Sequence, residues 1–167
     1  LTNHADHFNF IQSNLLTIFK KDQPTLQQVI QHAISTKISV VSADEKEDNL
    51  RMVLNFGHTI GHALEKLTQY QLLHGYAVGY GMLVEAKIAA LKGLLNHADY
   101  LVITSLLAQC GIHSTYLAQF NDDEIIAATK NDKKAKQGDV RYILLKQIGE
   151  VYFHHNQVAH PISDQIV

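Results

Sequence analysis

Apolar residues recur at helical spacing along most of this chain, and that period constrains its fold more than any other feature. Residues 6–20 place Phe8, Ile11, Leu15, Ile18 and Phe19 on one helical face. Asp22-Gln23-Pro24-Thr25 reads as a turn, with Pro24 close to the first turn of a second helix over 25–36. Residues 38–47 hold a short apolar run, Ile38, Val40 and Val41, ahead of an acidic stretch. Further helices are predicted over about 49–68, 75–91, 97–109 and 122–130, with Gly111 stopping the third of these. Only Val140–Leu145 and Val151–His154 read as extended, and Gly149 between them suggests a small hairpin. The expectation is a mainly α fold: one helical domain over residues 1–167 with a small β-hairpin near its end.

Composition narrows what such a domain can do. The 167 residues suffice for a core. Hydrophobic content of 46%, charged content of 18% and a net charge of -2 describe an ordinary globular protein, with no electrostatic case for nucleic acid or an acidic membrane. No apolar run approaches the roughly 18 residues needed to span a bilayer. A single cysteine, Cys110, excludes an internal disulfide and suits a reducing, cytoplasmic setting; in its apolar run it reads as core.

The stretch Leu54–Glu65, LNFGHTIGHALE, sets two histidines four residues apart. If 49–68 is one continuous helix, an advance of about 100° per residue puts Arg51, Asn55, His58 and His62 within about 60° of one another. Met52, Phe56, Ile60, Ala63, Leu64 and Leu67 then face the core, and Gly57 and Gly61 lie on a flank where another backbone can come close. A solvated face normally carries Lys and Glu; Arg, Asn, His and His are a different selection. A histidine pair at this spacing can chelate a metal, yet two ligands do not make a site. His74, at the start of the following helix, reaches His58 if the connection folds back, and otherwise reads as a surface or capping residue.

The motifs RMVLNFGHTIGHALE and LLHGYAVGYGM closely resemble 3-dehydroquinate synthase, of the sugar-phosphate cyclase superfamily. Upstream KISVVSADEKEDNLR and downstream NDKKAKQGDVRYILLKQIG are similar to further segments of that family, in the same order. The resemblance implies the helical C-terminal domain of an enzyme of the shikimate pathway and aromatic amino acid biosynthesis. That enzyme, a phosphate-eliminating lyase, converts 3-deoxy-arabino-heptulosonate 7-phosphate to 3-dehydroquinate. It uses NAD transiently and a divalent metal, zinc or cobalt. It further implies His58 and His74 as metal ligands. His62, Lys37, Arg51 and Asn55 become the catalytic set, with His62 behind the metal or moving protons. Lys37, Arg51 and Asn55 also bind substrate, together with Lys133 or Lys134, and Glu47 is a charge partner near Lys37. A homodimer is implied for the full-length protein.

Departures from the family pattern accompany the match. The third metal ligand, a glutamate in an Ala-Glu-hydrophobic-Ile-Lys segment, has no counterpart here, and neither has the Gly-rich loop of an NAD domain. His-Gly-Glu is replaced by His74-Gly75-Tyr76, and the usual glycine before the arginine by Asn49, which tolerates a left-handed backbone. The chain opens Leu1-Thr2-Asn3 without methionine. The expectation is a domain excised from a longer enzyme, inactive alone, lacking its NAD-binding partner domain. A 2-deoxy-scyllo-inosose or valiolone synthase is the alternative within the superfamily, and a non-catalytic helical module the alternative outside it. His4, His7, His32, His97, His113 and His160 match no motif. His154 and His155, adjacent on an expected strand, should point apart.

Overall fold

A computed structural model of the chain describes residues 2, 4–46, 48–130, 140–164 and 166. Among the described residues seven α-helices come first: α1 (Ala5–Ser13), α2 (Leu15–Phe19), α3 (Gln23–Ala43), α4 (His58–Leu67), α5 (His74–Leu91), α6 (His97–Gln109) and α7 (Asp122–Lys130). Short 3-10 turns at Leu50–Asn55 and Ser114–Gln119 interrupt the series. Four short strands follow among the described residues: β1 (Arg141–Ile143), β2 (Leu145–Gln147), β3 (Glu150–Val151) and β4 (Ala159–Pro161).

α5 is the axis of the domain. Residues on most of its faces, from Ala77 through Ala89, are buried, as expected of a helix without a polar side. α4 and α6 pack along it, α7 packs on α4, and β2 closes one end. The core runs through Phe56, Ile60, Leu64, Ile88, Ile103, Leu144 and Leu145. Burying one such side chain contributes about 1.5–3 kcal/mol.

Several expected boundaries move. The 6–20 helix breaks at Asn14, whose side-chain amide donates to the Phe10 carbonyl at 2.8 Å, turning the chain between α1 and α2. The Pro24 helix is longer than its apolar pattern suggests. Its N-cap, Asp22, accepts from the Thr25 amide at 3.0 Å, and the helix runs on through Ile38, Val40 and Val41 to Ala43. Ile30, Ile34 and Ile38 lie exposed on α3, so period alone understated its length.

The expected 49–68 helix is overturned. A 3-10 turn ends at Asn55, Gly57 takes φ +80°, and α4 begins at His58. That conformation costs an L-residue side chain heavily and glycine nothing. The break also serves packing. A Cβ on Gly81 of α5 would sit 1.9 Å from the Gly57 carbonyl oxygen, so the two backbones touch at the bend. Gly61, one turn on, faces the Val78 backbone, the close approach that the flanking glycines imply.

The hairpin near the end is present as an antiparallel β2–β3 pair, Leu145 opposite Val151, with a register irregularity between Leu145 and Gln147. β1 pairs antiparallel with β4, Tyr142 opposite His160. The strand expected at Val151–His154 is shorter. His154 and His155 lie at a tight turn where their rings pack at 4.1 Å, so they do not point apart.

Candidate functional site

α4 presents two faces. Ile60, Ala63 and Leu64 go to the core, while His58, His62 and Glu65 share the half-buried face opposite. The i, i+4, i+7 spacing makes this stripe, and the short connection 68–73 turns α5 back so that His74, its first residue, meets it. The three imidazoles then gather. Ring centroids are 5.6 Å apart for His58–His62, 5.4 Å for His58–His74 and 6.1 Å for His62–His74. The folding back that would let His74 reach His58 therefore occurs. Glu65 joins them, with Oε1 3.1 Å from His74 Nδ1. Potential ligand atoms of His62, Glu65 and His74 all lie within 4.8 Å of one another. Two imidazoles and a carboxylate form a donor set that suits zinc or cobalt.

The cluster has an apolar side. His58 borders a cleft of about 270 Å³ shared with Phe8, Val53, Phe56 and Met82. A larger groove of about 950 Å³ lies between α5, α6 and residues 114–119, and none of the three histidines lines it. The candidate site is therefore chosen by its donor set and not by cavity volume.

The expected substrate residues sit on a separate arm. Arg51 and Asn55 belong to the 3-10 turn that leads into His58, not to its helix. Lys37 is exposed on α3, which packs against that turn. The Arg51 guanidinium donates to the Glu45 carbonyl at 3.2 Å. Glu47, Lys133 and Lys134 lie outside the described residues. Tyr76, where the family pattern has glutamate, is 45% exposed in the first turn of α5.

Four residues to which the motifs gave no site role hold this arrangement. Asp44 accepts backbone N–H bonds from Asp48, Asn49 and Arg51, each at 2.9 Å, and these hold its carboxyl down at about 2. Asn49 takes φ -163° and is not left-handed. Its side chain donates to the Asn156 carbonyl and accepts from the Val158 amide at 3.1 Å, a clamp that glycine could not make. Glu85, fully buried in α5, accepts the Gly57 N–H at 2.8 Å, and burial pushes its carboxyl well above the usual range. Glu65 is the fourth. Only its place was legible in advance, three residues after His62 and seven after His58.

Residues 1–135 match the family model for the C-terminal domain of 3-dehydroquinate synthase. The chain belongs to the 3-dehydroquinate synthase family. It is 38% identical over 144 residues to the 3-dehydroquinate synthase of Thermoanaerobacter pseudethanolicus, covering 86% of this chain and 40% of that protein. It superposes with TM-score 0.75 and 28% identity on a 2-deoxy-scyllo-inosose synthase complexed with carbaglucose-6-phosphate, NAD+ and Co2+, over 86% of this chain and 40% of that one. The fold also matches a 2-epi-5-epi-valiolone synthase from Streptomyces hygroscopicus with NAD+ and Zn2+ bound (TM-score 0.78, 22% identity, 99% of this chain and 45% of that one). The chain thus spans about two fifths of the length of the curated 3-dehydroquinate synthase it matches. The mainly helical fold with its small antiparallel pair near the end is the family's fold.

Proposed function

We propose that this chain is the metal- and substrate-binding half of a 3-dehydroquinate synthase. The whole enzyme would convert 3-deoxy-arabino-heptulosonate 7-phosphate to 3-dehydroquinate with release of phosphate. One observation carries the reading: in a chain of this family, His58, His62 and His74 gather on two helices beside the turn that bears Arg51 and Asn55.

His58 and His74 hold the divalent ion, zinc or cobalt. When bound, the ion polarises a substrate hydroxyl and lowers its pKa. His62 is the proton-handling group, since a neutral imidazole both accepts and donates near neutral pH. Arg51 offers a planar fork to a carboxylate or phosphate, and Lys37 and one of Lys133 and Lys134 offer further cationic contacts. Asn55 supplies amide hydrogen bonds to substrate hydroxyls. NAD and its domain belong to the remainder of the enzyme, so the isolated chain should release no phosphate from the heptulosonate substrate.

Titrating zinc into the chain and into His58→Ala, His62→Ala and His74→Ala variants tests the metal assignment. Loss of binding in the first and third, with the second retained, is expected. If His58→Ala binds normally and His62→Ala does not, the ion belongs with His62, Glu65 and His74 instead. Phosphate release from the heptulosonate by the full-length enzyme tests the substrate.

A second reading, a cyclase acting on another sugar phosphate, draws on the 28% identity to 2-deoxy-scyllo-inosose synthase and on Tyr76 in place of a carboxylate. Phosphate release from glucose 6-phosphate but not from the heptulosonate would establish it over the first.

A further inference from the structure

His74 is the most exposed ring of the cluster, 58% accessible, and stands at the first residue of α5. A ring so placed has free choice of rotamer and of tautomer unless something restrains it. Glu65 is its restraint. The Glu65 side chain is only 15% accessible, tucked into the last turns of α4, and its Oε1 lies 3.1 Å from His74 Nδ1. A carboxylate is an acceptor only, so the proton of a neutral His74 must sit on Nδ1. The other ring nitrogen, Nε2, then carries the lone pair.

We infer that Glu65 is the positioning residue for His74: its carboxylate accepts the Nδ1–H, fixes the ring, and leaves Nε2 as the metal-binding nitrogen. The inference rests on the metal reading above and adds to it the nitrogen used and the residue that selects it. It also gives Glu65 a task distinct from ligation, although its oxygen is close enough to be counted among the donors. Carboxylates that orient a ligating imidazole change metal affinity by about 10–100-fold when removed. A salt bridge alone, at an exposed ring, would change it little.

The deciding experiment needs no activity. Long-range 1H–15N spectra of the imidazoles at pH 8, in the metal-free chain, report which nitrogen of His74 is protonated. The expected result is Nδ1–H in the unmodified chain, retained in Glu65→Gln, whose amide oxygen still accepts, and a switch toward Nε2–H in Glu65→Leu. Zinc titration should show Glu65→Leu weakened about 10–100-fold and Glu65→Gln by much less. An unchanged His74 tautomer in Glu65→Leu overturns the inference. So does a Glu65→Gln variant that loses zinc as completely as His74→Ala, since that outcome makes Glu65 a ligand. If the unmodified chain binds no zinc, the metal reading fails on its own, and the tautomer still decides what Glu65 does.

Discussion

The histidine cluster and the arm that carries Arg51 are neighbours held by opposite means. The cluster rides on α4 and α5, whose backbones touch through Gly57, Gly61 and Gly81 and whose join is sealed by the buried Glu85 carboxyl. The arm buries Val53 in the core, but hydrogen bonds from side chains fasten the rest of it. Asp44 ties its amides from within and Asn49 ties it to residues 156–158, both at partly exposed positions. Ligands for a metal must be placed to within a few tenths of an ångström, which suits contact between backbones. An arm with the proposed task of gripping a polyanion gains from being able to adjust. The difference predicts that damage to the first region costs fold and metal together, and that damage to the second costs substrate affinity first.

Gly81→Ala should have the largest effect. Its methyl would overlap the Gly57 carbonyl, and neither helix can retreat without losing core contacts. Destabilisation on the order of 3 kcal/mol is expected by urea unfolding, with zinc binding lost as well. A variant as stable as the parent would show that the bend is softer than the structure implies.

Glu85→Ala comes next, on the order of 2 kcal/mol, because it orphans the buried Gly57 N–H. Glu85→Gln keeps an acceptor there and drops the charge. The pH dependence sharpens the point. The folded carboxyl is held above its ordinary value, so its contribution is full at pH below the ordinary glutamate range and is lost as pH rises through the raised value. Glu85→Gln should therefore melt at or above the parent's temperature at pH 8 and lose that advantage at pH 4. The same difference at both pH values would mean that the carboxyl is not buried.

The arm is probed by acid. Asp44 is depressed from 3.8 to about 2, so its hold on the Asp48, Asn49 and Arg51 amides persists above the ordinary value and fails only as pH falls through about 2. The Arg51 amide shift, followed by NMR, should titrate near that pH. A midpoint close to 4 would mean that the three bonds do not persist in solution. The smallest effect belongs to Gly75→Ala. Nothing lies within 4 Å of the added carbon, and a helix-favouring residue replaces glycine. A gain of roughly 0.5–1 kcal/mol with unchanged zinc affinity is expected by thermal melting, and a loss would place an unseen contact at the start of α5.

What could be read in advance follows the same division. The limits of α5 and α6 and the shared face of His58 and His62 lie in local spacing, which a sequence displays, whereas the place of His74 beside them came from the family resemblance. The helix expected over 49–68 failed because Gly57 and Gly61 look alike in sequence. One sits at a bend and the other inside α4, and only contact with α5 separates them. α3 was cut short because Ile30, Ile34 and Ile38 face outward, so its pattern has no single core face. Glu85 acts on a residue 28 positions away and Asn49 on one 109 away, and no motif window reaches that far. Glu65 was within reach, since it continues the stripe of His58 and His62 by one turn.

The connection 68–73 between α4 and α5 has a kinetic consequence. Closing a loop of about ten residues takes on the order of 10–100 ns, and neighbouring helices then dock at little further cost in chain entropy. The Asn49 clamp must wait until residues 156–158 arrive from the far end of the chain. The imidazoles are thus expected to meet early in folding and the Arg51 arm to settle late, so a metal ion present during refolding would find the proposed ligands before the proposed substrate arm is in place.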